Sequence, residues 1–272
     1  MIRNSLLEGE KMRLRDQVTV VTGAGKGIGK GIAHEFVRQG AYVVIATIEP
    51  DGQRVADAFN QEIGDERAIY IHTDVTSEES IAALATQVEQ RYGRVDALVN
   101  NAGVTSFKPM LEATLKDWDF LMNVDLRGVF LCSQKFIPIM QRARKGSIIN
   151  ISSGHAMATL PNTEMYAAAK AGVNGMTRSM ALTFGKDGIR VNAVCPGFTE
   201  TPHLRHWLAS HSDPQASERE MLDLHVLNQI VDPQDIAMLC VYLASDESKN
   251  LTGSTLVLDG GVSARLYNAK LI

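Results

Sequence analysis

Short apolar runs alternate with amphipathic stretches along most of this chain, and that alternation restricts the fold more than any other feature. Residues 18–21, 42–46, 68–72, 95–99, 147–151, 191–194 and 255–258 are brief and mostly apolar, as buried strands are. Residues 28–39, 52–61, 78–92, 118–142, 165–184 and 235–244 read as helices between them. Strands that alternate with helices pair in parallel through right-handed crossovers. The expected fold is α/β: a doubly wound, seven-stranded parallel sheet with helices on both faces, in a single domain. The 272 residues are ample for one large core. No repeat, low-complexity tract or long linker divides them. Residues 1–11 read as a flexible lead, Met12 as a candidate natural start, and residues 12–272 as the domain. A stretch at about 203–227, with several histidines, Trp207 and Asp213-Pro214, breaks the alternation and reads as an inserted helical lid.

Bulk properties narrow the function classes. A net charge of -4 gives no electrostatic reason to expect nucleic acid or an anionic membrane as partner. No stretch approaches the ~20 apolar residues of a membrane span. At the N-terminus Ile2 and Leu6-Leu7 are broken by Arg3, Asn4 and Glu8, so a signal peptide's apolar core is missing. Cys132, Cys195 and Cys240 are scattered and odd in number, which suits buried thiols in a reducing compartment rather than disulfides or a metal site. The expected address is the cytoplasm, and no metal is expected.

Chemistry concentrates at two places. The first strand–helix turn reads Thr22-Gly23-Ala24-Gly25-Lys26-Gly27-Ile28-Gly29. Glycines there let a pyrophosphate approach a helix N-terminus, where free N–H groups and the helix dipole favour an anion. The spacing is not GxGxxG, and no Gly-Lys-Ser or Gly-Lys-Thr follows to mark a P-loop. A glycine-rich turn of some other α/β protein is the alternative. The second place is Met165-Tyr166-Ala167-Ala168-Ala169-Lys170-Ala171, alanine-rich and free of proline, hence helical. Residues four apart share a helix face, which puts the Tyr166 phenol beside the Lys170 ammonium. A phenol ionises near pH ~10, and bringing it toward neutrality takes about 3 units, or roughly 4 kcal/mol. A positive charge ~4 Å away, at an effective dielectric of ~20, supplies about that much. Such a pair can exchange a proton with an alcohol or carbonyl. The spacing alone also fits a solvated helix face.

In order and separation, TGAGKGIG at 22–29, Asn100-Asn101-Ala102-Gly103 after the fourth strand, and Tyr166-x-x-x-Lys170 resemble the short-chain dehydrogenase/reductase family over about residues 12–263. The resemblance implies a Rossmann-type fold and an NAD(P)-dependent oxidoreductase acting on CH–OH groups. It also implies a catalytic set of four: Asn123, Ser153, Tyr166 and Lys170. Tyr166 would exchange the substrate proton, and Lys170 would grip the nicotinamide ribose and tune Tyr166. Ser153, thirteen residues before Tyr166, would bind the substrate oxygen, and Asn123 would hold a water in the proton relay. The implied cofactor contacts are Gly23, Gly25, Lys26, Gly27, Ile28 and Gly29 in the loop, then Thr47, Asp74 and Val75. Asn101, Ala102, Gly103, Tyr166, Lys170, Pro196, Gly197, Thr199 and Thr201 complete them. Homotetramers, or homodimers, are the usual family assembly.

Departures from the family pattern bear on specificity. Thr47 stands where NAD-preferring relatives carry aspartate at the end of the second strand, so NADP(H) is favoured over NAD(H), with Lys26 as added attraction. Ile48 and nearby Glu49 weigh the other way. The segment Leu227-Asn228-Gln229-Ile230 lacks an arginine common in relatives. The tail ends Leu271-Ile272 and could pack on a neighbouring subunit. For the substrate, the candidates are Ser153, His155, Asn162, Glu164, His203 and Trp207, whose polar groups suit a small hydroxylated molecule such as a sugar or polyol. The reaction would interconvert a secondary alcohol and ketone, or a hemiacetal and lactone. A 3-oxoacyl thioester or a hydroxysteroid is the alternative substrate, and a catalytically silent cofactor-binding regulator the alternative class.

Overall fold

The computed structural model describes residues 12–265. The expected lead at 1–11, and residues 266–272 of the tail expected to pack on a neighbour, lie outside the described residues. The strands are β1 (Val18–Thr22), β2 (Tyr42–Thr47), β3 (Ala68–His72), β4 (Ala97–Asn100), β5 (Gly146–Ile151), β6 (Ile189–Pro196) and β7 (Thr255–Leu258). They form one sheet in the order β3-β2-β1-β4-β5-β6-β7, and every pairing is parallel. The helices are α1 (Gly27–Arg38), α2 (Gly52–Ile63), α3 (Glu78–Tyr92), α4 (Leu115–Met122), α5 (Gly128–Ala143), α6 (Glu164–Phe184), α7 (Pro202–Ala209), α8 (Pro214–Leu224) and α9 (Pro233–Ala244). The doubly wound seven-stranded expectation is met, and element boundaries move by only a few residues.

Alternation of side chains along each strand builds two cores, one on each face. From β2, Val43 and Ile45 join Ile32, Phe36 and Ile236 of α1 and α9. Val44 and Ala46 point the other way, to Ile81 and Leu84 of α3 and Phe136 of α5. Central strands are therefore apolar on both sides, which is why their sequences read as continuous runs. Cys132, Cys195 and Cys240 are free and buried among these layers. Burial pushes the Cys132 thiol up to about 12, so it stays protonated and inert.

One element departs from its simple reading. Residues 118–142 were expected as a single helix. The chain is helical from Leu115 to Ala143, but a π turn at Asn123–Arg127 separates α4 from α5. The Gly128 N–H donates to the Asn123 carbonyl, five residues back. Such insertions gather at functional positions.

Strand order reverses between β1 and β4, which leaves a crevice beyond their C-terminal ends. Loops after β1, β4, β5 and β6 all open on that edge. In the expected lid region, α7 and α8 each start with a capping side chain, Thr201 or Asp213, followed by proline.

Candidate active site

The glycine loop is shaped for close approach. Gly23 and Gly27 have φ of +65° and +56°, a region that glycine enters without penalty. A Cβ on Gly29 would overlap the Asn101 amide and stand 2.5 Å from the Gly23 carbonyl. The helix behind the loop is left open at its start. Lys26, at the head of α1, makes no side-chain cap, and the first turn holds no acidic residue. By contrast α3 is capped by Ser77 and α4 by a Thr114–Asp117 capping box. An uncapped helix start facing a glycine cradle fits a pyrophosphate. Thr201 Cγ2 lies 3.7 Å from where a Gly27 Cβ would be, so the start of α7 overhangs the loop.

Asn101 follows β4 and reaches across to the loop after β1. Its side-chain amide donates to the carbonyls of Thr22 and Gly23 at 2.9 and 3.2 Å. The Asn101 and Ala102 N–H groups both donate to Thr22 Oγ1, at 3.0 and 3.1 Å. Asn101 thus ties the loop after β4 to the loop after β1.

At the other side of the crevice, Ser153 follows β5 and Tyr166 and Lys170 stand on one face of α6. Lys170 is 4% exposed, and its Nζ lies 5.6 Å from the centre of the Tyr166 ring. It donates to the Ile151 carbonyl at 3.2 Å and pairs with Asp125 Oδ2 at 3.1 Å. Asp125 is fully buried in the π turn, and its other oxygen accepts the Val104 N–H at 2.8 Å. Burial by itself would push the Lys170 ammonium down, but Asp125 and Tyr166 outweigh it and hold Lys170 above the ordinary lysine range. Gly103 makes room for this pair, since a Cβ there would lie 3.2 Å from Asp125 Oδ2 and 3.3 Å from Lys170 Nζ. The Ile151 carbonyl takes one Lys170 proton, and Asp125 balances the ammonium charge as an ion pair. Asn123 opens the π turn, two residues before Asp125. Ser153 is buried and its Oγ accepts the His155 N–H at 3.1 Å, which leaves the hydroxyl proton for a substrate oxygen.

A run of rings leads outward from Tyr166. The His155 ring stands edge-on to it at 5.5 Å between centroids, and Phe107 stands edge-on to His155 at 6.5 Å. Trp207 of α7 stacks on Phe107 at 5.6 Å and on Phe198 at 6.3 Å. Loops after β4, β5 and β6 thereby meet α7 above the phenol.

Other expected residues are placed less directly. Glu164 lies two residues before Tyr166, hence roughly 200° around α6, and is exposed in its first turn. That geometry turns it away from the phenol. Asn162 is exposed with φ +63°, and its carbonyl accepts the Lys108 N–H at 2.9 Å, so it shapes a loop junction. His203 is exposed on α7, one turn before Trp207. Asp74 Oδ1 accepts from the Thr76 N–H and hydroxyl, each at 2.8 Å, in the turn that leads into α3. Val75 packs beside Gly128, whose Cβ would lie 3.1 Å from the Val75 carbonyl. Thr47 is buried and its Oγ1 accepts the Glu49 N–H at 3.2 Å. Glu49 reaches over the loop instead, pairing with Lys26 at 2.5 Å. Ile28 is half-buried against the α1 core. Gly197 is needed because a Cβ would stand 2.8 Å from Asp259, and Thr199 Oγ1 donates back to the Gly197 carbonyl at 3.0 Å. Pro196 is buried at the end of β6.

Asp125, Phe107 and Phe198 were not among the sequence candidates. Asp125 had a usable signal, a carboxylate among Val124, Leu126 and Val129 on a helix face. The two phenylalanines had none.

Comparison with known proteins shows which family the chain is similar to. The family model described as enoyl-(acyl carrier protein) reductase matches residues 23–263. The chain is 37% identical over 253 residues to dehydrogenase/reductase SDR family member 6 of Rattus norvegicus, covering 92% of this chain and 99% of that protein. It is also 37% identical over 251 residues to the 3-oxoacyl-[acyl-carrier-protein] reductase FabG of Thermotoga maritima, covering 92% and 99% of the two. A crystal structure described as a short-chain alcohol dehydrogenase from Sinorhizobium meliloti superimposes with a TM-score of 0.88 at 29% identity, over 94% of this chain and all of that one.

Proposed function

Because this chain belongs to the short-chain dehydrogenase/reductase family, we propose that its crevice oxidises a small hydroxylated secondary alcohol, such as a sugar or polyol, or reduces the matching ketone. The chain is an NAD(P)-dependent oxidoreductase acting on CH–OH groups. The reading rests on one observation: Tyr166 lies beside buried Lys170 and faces the loop of Ser153, at the edge where the glycine loop awaits a pyrophosphate. When bound, the nicotinamide supplies or accepts the hydride.

The chain's own groups do the rest. Ser153 presents its free hydroxyl proton to the substrate oxygen and holds it in place. Tyr166 takes the alcohol proton during oxidation and returns it during reduction. Lys170 offers a proton to a ribose hydroxyl, while its bond to Ile151 and its charge pair with Asp125 hold it in place. Asn123, at the start of the π turn, orders a water in the proton relay through Lys170. Changing Tyr166→Phe should lower turnover by about 10²–10⁴-fold while cofactor affinity stays nearly constant. Absorbance at the reduced-nicotinamide band, with a panel of sugars, polyols and ketones, reads both. Turnover that survives in this variant would sink the mechanism. The likeness to FabG favours a second reading, reduction of a 3-oxoacyl thioester, which the same panel tests once a thioester is added.

Of the two cofactors, Thr47 supports NADP(H), because no carboxylate at the strand end repels a 2′-phosphate. The Lys26–Glu49 pair limits that preference, since a 2′-phosphate has to compete with Glu49 for the ammonium. An assembly of four copies, or of two, is supported by exposed apolar side chains on neighbouring helices, Phe130 on α5 and Leu182 on α6. The 203–227 region acts as the substrate lid, with Trp207 as its contact to the pocket. Among the described residues no helix is long and apolar enough to cross a membrane, in keeping with a cytoplasmic address.

A further inference from the structure

One polar group in the ring-lined cleft has protons that can be counted. Thr163 Oγ1 lies 2.5 Å from the Leu160 carbonyl, which can only accept, so the Thr163 hydroxyl donates there. Thr159 Oγ1 lies 2.8 Å from Thr163 Oγ1, and with the Thr163 proton committed, Thr159 is the donor of that bond. His155 Nδ1 lies 2.9 Å from Thr159 Oγ1, whose proton is now spent, so Nδ1 carries the ring hydrogen. Burial pushes His155 below the ordinary histidine range, which keeps the ring neutral near pH ~7. A neutral imidazole has one N–H, and Nε2 is left with a bare lone pair. Nε2 makes no hydrogen bond to any described residue.

We propose that this Nε2 lone pair selects the substrate by accepting a hydrogen bond from a second hydroxyl, so that the enzyme acts on vicinal diols and the 2-hydroxy ketones they yield. The proposal rests on the dehydrogenase reading above. The His155 main chain holds Ser153 Oγ at 3.1 Å and its ring stands beside Tyr166. A hydroxyl on the carbon next to the reacting one is the substituent placed to meet it. Phe107 offers the carbon skeleton an apolar wall. During oxidation the carbinol hydrogen leaves as hydride to the oxidised nicotinamide and the hydroxyl proton passes to Tyr166. The second hydroxyl is untouched. A carboxylate in its place has no proton to give and sets negative charge against the lone pair, so 2-hydroxy acids are poor substrates.

The test compares 1,2-cyclohexanediol with cyclohexanol, in the wild type and in His155→Phe. We expect the wild type to favour the diol by about tenfold or more in kcat/KM, and the variant to bring that ratio to about one. Because the readout is a ratio, a general loss of activity cancels. A ratio unchanged by the substitution overturns the proposal. Nitrogen NMR of the wild-type protein loaded with cofactor gives a second measurement that needs neither turnover nor a variant. It should show a protonated Nδ1 and a bare Nε2, and the Nε2 resonance should move with the diol and not with cyclohexanol. A protonated Nε2, or an equal response to both alcohols, overturns the proposal. Failure to turn over either alcohol, with the nitrogen pattern as expected, counts against the dehydrogenase reading and leaves the selection by His155 supported.

Discussion

Lys170 owes its charge to a neighbour. A buried ammonium without a counter-ion loses its proton readily, and Asp125 prevents that at 3.1 Å. Asp125→Asn keeps the shape and removes the charge, so we expect a loss of roughly 3–5 kcal/mol in stability, because an uncompensated charge is left buried. Urea denaturation checks the cost, and a titration with cofactor should show weaker binding if Lys170 holds the ribose as proposed. A second residue-scale prediction concerns Glu49. Glu49→Gln releases Lys26, and the preference for NADP over NAD in kcat/KM should rise about tenfold, read in parallel assays with each cofactor. The closeness of Tyr166 and Lys170 was legible in the sequence because a helix fixes it through a four-residue spacing. Asp125 was not legible as their partner, because it reaches Lys170 only across two packed helices.

At the level of elements, Asn101 joins the loops after β1 and β4, and the proposed cofactor site is built on that joint. Gly29 lies under it, where a side chain would strike the Asn101 amide and the Gly23 carbonyl. Gly29→Ala should therefore cut cofactor affinity by more than about tenfold and destabilise the fold by roughly 1–3 kcal/mol, measured by cofactor titration and by thermal melting. The glycines of this turn were readable from their place between a strand and a helix. The π turn was not. A single added residue shifts the helical period too little to disturb the apolar pattern over 118–142, yet it decides where Asn123 and Asp125 point.

For the whole molecule, the alternation of strands and helices showed a parallel sheet but left the order of its strands open. That order brings Phe107, His155, Phe198 and Trp207 together from the three connections that follow β4, β5 and β6, so no local pattern announces them. Assembly is testable at this scale. Light scattering should give a mass four times, or twice, the chain's 29.7 kDa, and Phe130→Glu should lower it by placing charge on an exposed apolar helix face. The parallel sheet has a further consequence. Every loop named in the chemistry leaves the sheet at one end, while the opposite end carries only connections. We therefore expect that exchanging residues 203–227 between relatives shifts substrate preference while Ser153, after β5, and Tyr166 and Lys170, on α6, keep their places.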